Sequence, residues 1–164
     1  MEIKLLDDGT MELGNFSALQ AYKVARKLEK DGIDFYEKAK ANVNDKKISN
    51  ALQFLIDSEK KHLAFFEERI EEEQKRVEDG FEADDVADFL DSNIFPDSRL
   101  WNDLFKDTLQ VSRVLTFGAK IEKSSITFYQ AMLNHVSDKE AHKALSDIIS
   151  EEEDHYNSLQ QFIV

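Results

Sequence analysis

The segment Leu28-Glu-Lys-Asp-Gly-Ile-Asp-Phe-Tyr36 recurs 93 residues later as Ile121-Glu-Lys-Ser-Ser-Ile-Thr-Phe-Tyr129. The same shift superposes the Glu-x-x-His of residues 59–62 on the Glu-x-x-His of residues 152–155. Helical sequences share Glu, Lys and Leu through composition alone. The chain has only 4 His, however, and composition does not explain why His and Phe-Tyr coincide as well. We therefore interpret the chain as two copies of a helix–turn–helix unit.

The composition favours a single helical domain. The chain has 164 residues, of which one is Pro and five are Gly, and this suits long helices rather than a turn-rich β fold. No apolar run approaches the roughly 20 residues that span a bilayer. With 21 Lys+Arg against 34 Asp+Glu the net charge is −13, so we expect neither a nucleic-acid nor a membrane partner. The absence of Cys leaves carboxylates and imidazoles to hold any metal.

Helical periodicity and cap signals predict four helices after a short arm at residues 1–16. A capping box at Ser17–Gln20 opens the first helix, which extends to about residue 41. The second follows a turn at Asn42–Asp45 and continues to Glu78. The third extends from about Leu109 to Asn134, and a capping box at Ser137–Glu140 opens the fourth, which reaches almost to Val164.

The resulting expectation is an all-α fold, an antiparallel four-helix bundle in one domain over residues 1–164. Its two helical hairpins, at about 17–78 and 109–163, are joined by a long crossover at residues 80–107, in which residues 84–91 form a short helix. The chain begins without an apolar segment of signal-peptide length, so we expect a cytoplasmic protein.

The spacing of six acidic and histidine residues predicts that they meet in the bundle interior. Residues three apart share one helix face, so each Glu-x-x-His can reach a common point. The sequence midpoint between Glu29 and Glu59 is residue 44, and that between Glu122 and Glu152 is residue 137; both midpoints fall in predicted turns. Residues equidistant from a hairpin turn lie level with each other. The six residues are Glu29, Glu59, His62, Glu122, Glu152 and His155.

Such a set of side chains is suited to two divalent cations. Four carboxylates balance the charge of two such ions, and carboxylates can bridge them. Oxygen and imidazole donors suit iron or manganese, with zinc also possible. Without metal or protons, four like charges in a low-dielectric core are costly. A surface salt-bridge pattern on acidic helices is the alternative interpretation.

The quoted segments, together with Ser58–Phe66 and Glu151–Tyr156, resemble the ferritin-like di-iron carboxylate superfamily, and most of all its rubrerythrin branch. The resemblance covers residues 17–163. It implies that the six residues bind two iron ions per chain. It also implies a redox enzyme that reduces hydrogen peroxide or dioxygen with electrons from an external donor.

The chain departs from the rubrerythrin pattern in two ways. Ser125 stands where rubrerythrins usually carry a further Glu, three residues after the ligand of the third helix. No rubredoxin-like Cys₄ site is present, which implies an external reductant. The ligand set is therefore symmetric, as in bacterioferritins.

Two other functions remain open from the sequence: ferroxidase-coupled iron storage or iron handling, and a non-redox structural bundle that binds metal. We expect a homodimer or a larger homo-oligomer. Tyr36 and Tyr129 follow Glu29 and Glu122 by seven residues on the same helix faces. They either hydrogen-bond ligand carboxylates or are core aromatic residues with a polar tip.

Overall fold

The computed structural model describes residues 2–76, 104–105 and 111–163. Within them lie two strands, four α-helices and a 3₁₀ turn at Leu133–His135. The strands are β1, Glu2–Leu5, and β2, Met11–Gly14; the helices are α1, Ala18–Asn42, α2, Lys46–Gln74, α3, Val111–Met132, and α4, Lys139–Gln160. The predicted all-α, antiparallel four-helix bundle is confirmed, with a small β-hairpin added to it.

The four helices form two hairpins, α1 with α2 and α3 with α4, around one apolar core. Each helix buries the residues that recur at three- and four-residue spacing. The core aromatic residues include Phe35, Phe66 and Phe128, which are fully buried. None of the described helices is both long and apolar enough to cross a bilayer.

Short polar side chains cap three of the helices. At the start of α1, Ser17 and Gln20 form the predicted capping box. Asp45 caps α2 by accepting from the backbone N–H groups of Lys47 and Ile48. The capping box predicted at Ser137–Glu140 is wrong: Asp138 is the N-cap of α4 instead, because its carboxylate accepts from the backbone N–H of Ala141, three residues on.

The predicted N-terminal arm is an antiparallel hairpin in the structure. Strands β1 and β2 pair with Ile3 opposite Leu13, and the turn places Gly9 at a positive φ of 84°. Asp8 closes the turn by accepting from the backbone N–H of Thr10 at 2.9 Å. Strand β2 packs on α3, and Leu13 and Phe16 extend the core.

Three predicted boundaries differ from the structure. Helix α2 ends at Gln74 rather than at Glu78, and α4 ends at Gln160, short of Val164. After Met132 the last turn of the third helical segment tightens into the 3₁₀ turn. The crossover predicted at 80–107, with its short helix at 84–91, lies outside the described residues except for Leu104 and Phe105.

Candidate metal centre

All six acidic and histidine residues singled out in the sequence lie together inside the bundle. Each helix contributes: α1 supplies one Glu, α3 supplies one Glu, and α2 and α4 each supply a Glu-x-x-His. Every one of the six is at most 3% exposed to solvent. They are Glu29, Glu59, His62, Glu122, Glu152 and His155.

The donor atoms divide into two overlapping groups of four. One group comprises Glu29, Glu59, His62 and Glu152, and the other comprises Glu59, Glu122, Glu152 and His155. Within each group, one donor atom per residue lies within 4.8 Å of the others. Glu59 and Glu152 belong to both groups. Each group therefore has one histidine, one unshared carboxylate and two shared carboxylates. Each group could hold one cation, and the two cations would be neighbours because the shared carboxylates serve both positions.

Both histidines direct Nδ1 toward the shared carboxylates. The Nδ1 of His62 lies 3.1 Å from Oε2 of Glu59 and 3.1 Å from Oε1 of Glu152. The Nδ1 of His155 lies 3.0 Å from Oε2 of Glu152 and 3.4 Å from Oε1 of Glu59. The two rings are stacked with their centroids 5.8 Å apart. With the proton on Nε2, each Nδ1 could offer its lone pair to a metal ion.

The unshared carboxylates are each held by a tyrosine of the other hairpin. The hydroxyl of Tyr36 donates to Oε1 of Glu122, and that of Tyr129 donates to Oε1 of Glu29. Both tyrosines are fully buried. A Cβ atom at Gly118 would lie only 3.1 Å from Cε1 of Tyr36, so this glycine leaves room for the ring. The hydrogen bonds therefore join the two hairpins across the bundle.

The buried carboxyls titrate in opposite directions. Burial raises the pKa of Glu29 and of Glu122 well above its usual value, and the nearby charges of Glu59 and Glu152 add to the effect. Burial also acts to raise the pKa of Glu59, but hydrogen bonds with His155 and His62 outweigh it and lower that pKa. The metal-free centre therefore mixes protonated and ionised carboxyls.

Both imidazoles favour the protonated form when no metal is present. Burial acts to lower the pKa of each histidine, but hydrogen bonds to Glu152 and Glu59 outweigh it. The pKa of His62 rises to about 12 and that of His155 to about 9. Protons thus occupy the positions where cations would neutralise the same carboxylates, and metal binding would displace them.

Three residues around the histidines were missed by the sequence reasoning: Glu151 and Phe54, which contact the imidazole rings, and Ser58, which contacts Glu151. Nε2 of His62 lies 3.0 Å from Oε2 of Glu151, and Ser58 donates to the same oxygen at 3.2 Å. The ring of Phe54 stands perpendicular to that of His155, with the centroids 6.0 Å apart. The two histidines therefore differ in their outer neighbours, a carboxylate for His62 and an aromatic ring for His155. The sequence held a signal for this difference, because the 93-residue shift places Ser58 on Glu151, next to the matched Glu-x-x-His segments.

Ser125, the position at which rubrerythrins usually carry a further Glu, lies on α3 three residues after Glu122 and is buried. No carboxylate reaches the centre from that position. The ligand candidates consequently keep the two-fold pattern of the repeat.

Comparison with known proteins supports the fold. No protein-family model matches the chain, and no curated protein does. The crystal structure of a Thermotoga maritima protein, described as a ferritin-like diiron-carboxylate protein, superposes with a TM-score of 0.72. The two sequences are 23% identical, and the match covers 93% of this chain and 97% of the other. The chain therefore has the ferritin-like fold.

Proposed function

We propose that the protein binds two iron ions in the bundle interior. The observation that carries this proposal is the pair of overlapping donor groups, which share Glu59 and Glu152. Oxygen and imidazole donors without thiolate suit iron or manganese, and zinc is the main competing ion. Glu29 and His62 would complete one position, and Glu122 and His155 the other.

We further infer that the protein is an oxidoreductase of rubrerythrin type. Bound iron would supply one electron from each ion for the two-electron reduction of hydrogen peroxide to water, or would reduce dioxygen. The shared carboxylates would fix the spacing of the ions, and the two tyrosines would orient the unshared carboxylates. The electrons must come from an external donor, because the chain has no Cys for a thiolate iron centre.

The Thermotoga maritima protein, described as a ferritin-like diiron-carboxylate protein, supports the proposal that this chain binds two iron ions. The redox role of rubrerythrin type is supported by the resemblance of residues 17–163 to rubrerythrins. The buried aromatic residues around the centre support it as well, because Phe35, Phe66 and Phe128 exclude bulk water from the core.

Metal analysis of protein purified from its own host, combined with an optical spectrum, tests the metal assignment. We expect two iron ions per chain and absorption from the oxidised centre. Zinc in a colourless protein that does not take up iron would instead support the non-redox structural bundle.

The oxidant is tested by stopped-flow mixing of the iron(II)-loaded protein with hydrogen peroxide and, separately, with dioxygen. We expect faster oxidation by hydrogen peroxide and repeated turnover only when an electron donor is added. A clearly faster reaction with dioxygen would contradict the peroxidase assignment and support an oxidase or a ferroxidase.

Iron storage or handling is the second candidate function, and the symmetric ligand set with Ser125 favours it. Light scattering after size-exclusion chromatography separates the two candidates. We propose a homodimer or a larger homo-oligomer. A hollow multimeric shell would support storage, whereas a monomer or dimer would count against it.

A further inference from the structure

The two candidate metal positions differ in what lies behind each histidine. Behind His62, the carboxylate of Glu151 lies 3.0 Å from Nε2. The hydroxyl of Ser58 donates to the same Oε2 at 3.2 Å and steadies it. Glu151 is half-exposed, with 54% of its side chain accessible, yet its two contacts fix it against the seam between α2 and α4.

The neighbour that the structure shows beside the ring of His155 is aromatic. Within the ranges 2–76, 104–105 and 111–163, no side chain hydrogen-bonds Nε2 of His155. The ring of Phe54 stands perpendicular to the imidazole, and Phe54 as a residue is 64% exposed. This ring offers packing but no acceptor for an imidazole N–H.

The internal repeat shows which position around His155 corresponds to Glu151 beside His62. The 93-residue shift that relates the two hairpins places Ser58 on Glu151 and His62 on His155. The contact between Glu151 and His62 therefore corresponds to one between Ser58 and His155, where the shorter side chain has no carboxylate. The six ligand candidates obey the two-fold symmetry, and this outer partner breaks it.

An outer carboxylate changes how an imidazole binds metal. When Nδ1 binds a cation the proton must reside on Nε2, and that N–H needs an acceptor. A carboxylate acceptor holds the tautomer and ring orientation and makes the ligating nitrogen more basic. Loss of such a partner typically costs about 10–100-fold in metal affinity.

We propose that the two metal positions are inequivalent and that Glu151 is the positioning residue that makes the His62 position the tighter one. The inference rests on the proposed function, because it concerns the same two-ion centre. The His155 position is then the exchangeable one, which loads last and releases its ion first.

Calorimetric and absorption titration of the metal-free protein with Co²⁺ tests this inference without any assay of activity. We expect two binding steps whose dissociation constants differ by about 10–100-fold. In His155→Ala the tighter step should persist, and in His62→Ala it should be lost.

The decisive variants move the carboxylate. Glu151→Ser should weaken the tighter step by about 10–100-fold and bring the two steps together. The double variant S58E/E151S transfers the carboxylate to the other side, so the tighter step should return and should now depend on His155. Glu153→Ser removes an exposed carboxylate from the same helix and should leave both steps unchanged.

Two results would overturn the inequivalence of the two metal positions, and a third would overturn the proposal that the protein binds metal. A single step in the wild-type protein, or two steps that keep their separation in Glu151→Ser, would overturn the inference, since repulsion between the two ions would then account for the separation. A wild-type protein that binds no Co²⁺ would overturn the proposed function itself. Circular dichroism checks folding, and if Glu151→Ser fails to fold, Glu151→Gln, which retains an acceptor oxygen, should narrow the separation only partly.

Discussion

At the scale of single residues, the two shared carboxylates contribute more to the candidate centre than the other four side chains do. Glu59 and Glu152 belong to both donor groups, and both lie close to the two histidines. The loss of an unshared carboxylate removes a donor from one position, whereas the loss of a shared one removes a donor from both.

We expect the double variant E59A/E152A to bind neither metal ion, because each position loses two of its four donor residues. Metal content after equilibration with iron(II) and desalting measures the effect, and it should fall from two ions per chain to none. The matched control, E71A/E153A, removes exposed carboxylates from the same two helices and should retain both ions. Retention of two ions by E59A/E152A would refute the ligand assignment.

Tyr129→Phe should destabilise the metal-free protein by about 1–2 kcal/mol. The ring is retained, but the buried carboxyl of Glu29 loses its hydroxyl partner. Urea denaturation measures the change. Tyr156→Phe is the control, because within the described part of the chain its hydroxyl has no hydrogen-bond partner, and it should change stability by less than about 0.5 kcal/mol. Equal effects would mean that the hydrogen bond to Glu29 contributes nothing.

The sequence predicted which six side chains meet, but not how they are partnered. Helical spacing fixes the face on which Glu29 or Tyr36 lies, and the two turn midpoints fix its level along the bundle. Spacing does not fix the contact across the bundle. The hydroxyl of Tyr36 donates a hydrogen bond to Glu122 of the opposite hairpin rather than to the Glu of its own helix. This partner could be identified only from the packed structure.

At the scale of helices and strands, the two hairpins begin their second helices in the same way. Asp45 and Asp138 are related by the 93-residue shift, and each caps the helix that carries a Glu-x-x-His. A cap satisfies backbone N–H groups that would otherwise lack partners and so fixes where the helix begins.

Asp45→Ala should lower the free energy of unfolding by about 1 kcal/mol, because the N–H groups of Lys47 and Ile48 lose their acceptor. Asp138→Ala should cost a similar amount through the N–H of Ala141. Urea unfolding at neutral pH measures both. Asp45→Asn keeps an acceptor oxygen at the cap and should stay near the wild-type value; a loss as large as that of the Ala variant would argue against a capping role.

The helices were predictable because each is long and periodic, whereas the N-terminal strands were not identified. Each strand has four residues, too short for alternation to be distinctive, so residues 1–16 were predicted only as a short arm. The Asp-Gly pair at positions 8 and 9 is typical of hairpin turns, but no hairpin was predicted from it. The pairing also depends on packing of β2 against α3, which is distant in sequence. The cap of α4 was misplaced by one residue because Ser137 and Asp138 are both strong capping residues.

At the scale of the whole molecule, the metal-free fold should be most stable at mildly acidic pH. The raised pKa values of Glu29 and Glu122 mean that the folded chain holds protons that the unfolded chain releases. Their contribution is complete below the unfolded pKa of about 4.3 and is lost as pH rises through the raised values. The lowered pKa of Glu59 acts oppositely, and its contribution is lost as pH falls below about 4.3.

The histidines extend the decline into alkaline solution. Their raised pKa values give a contribution that is complete below about 6.5 and is lost as pH rises through about 9 for His155 and about 12 for His62. We therefore expect the unfolding free energy of the metal-free protein to fall steadily from about pH 5 to about pH 9.

Urea unfolding of metal-free and iron-loaded protein at several pH values tests this expectation. High salt should be present, because the net charge of −13 also destabilises the fold as pH rises and salt screens that effect. Metal takes the place of the protons, so the dependence on pH should shrink in the loaded protein. A metal-free protein whose stability does not change with pH, or that iron does not stabilise, would contradict a shared buried centre.

Neither hairpin contains a complete metal position, because each donor group draws at least one carboxylate from the opposite half of the chain. The centre is thus equivalent to the interface of a symmetric dimer whose two protomers are parts of one polypeptide. Each half meets the other at the high effective concentration of linked segments, so dilution cannot empty the site by separating them. A cut in the connection between the hairpins would turn metal loading into a bimolecular event that depends on protein concentration.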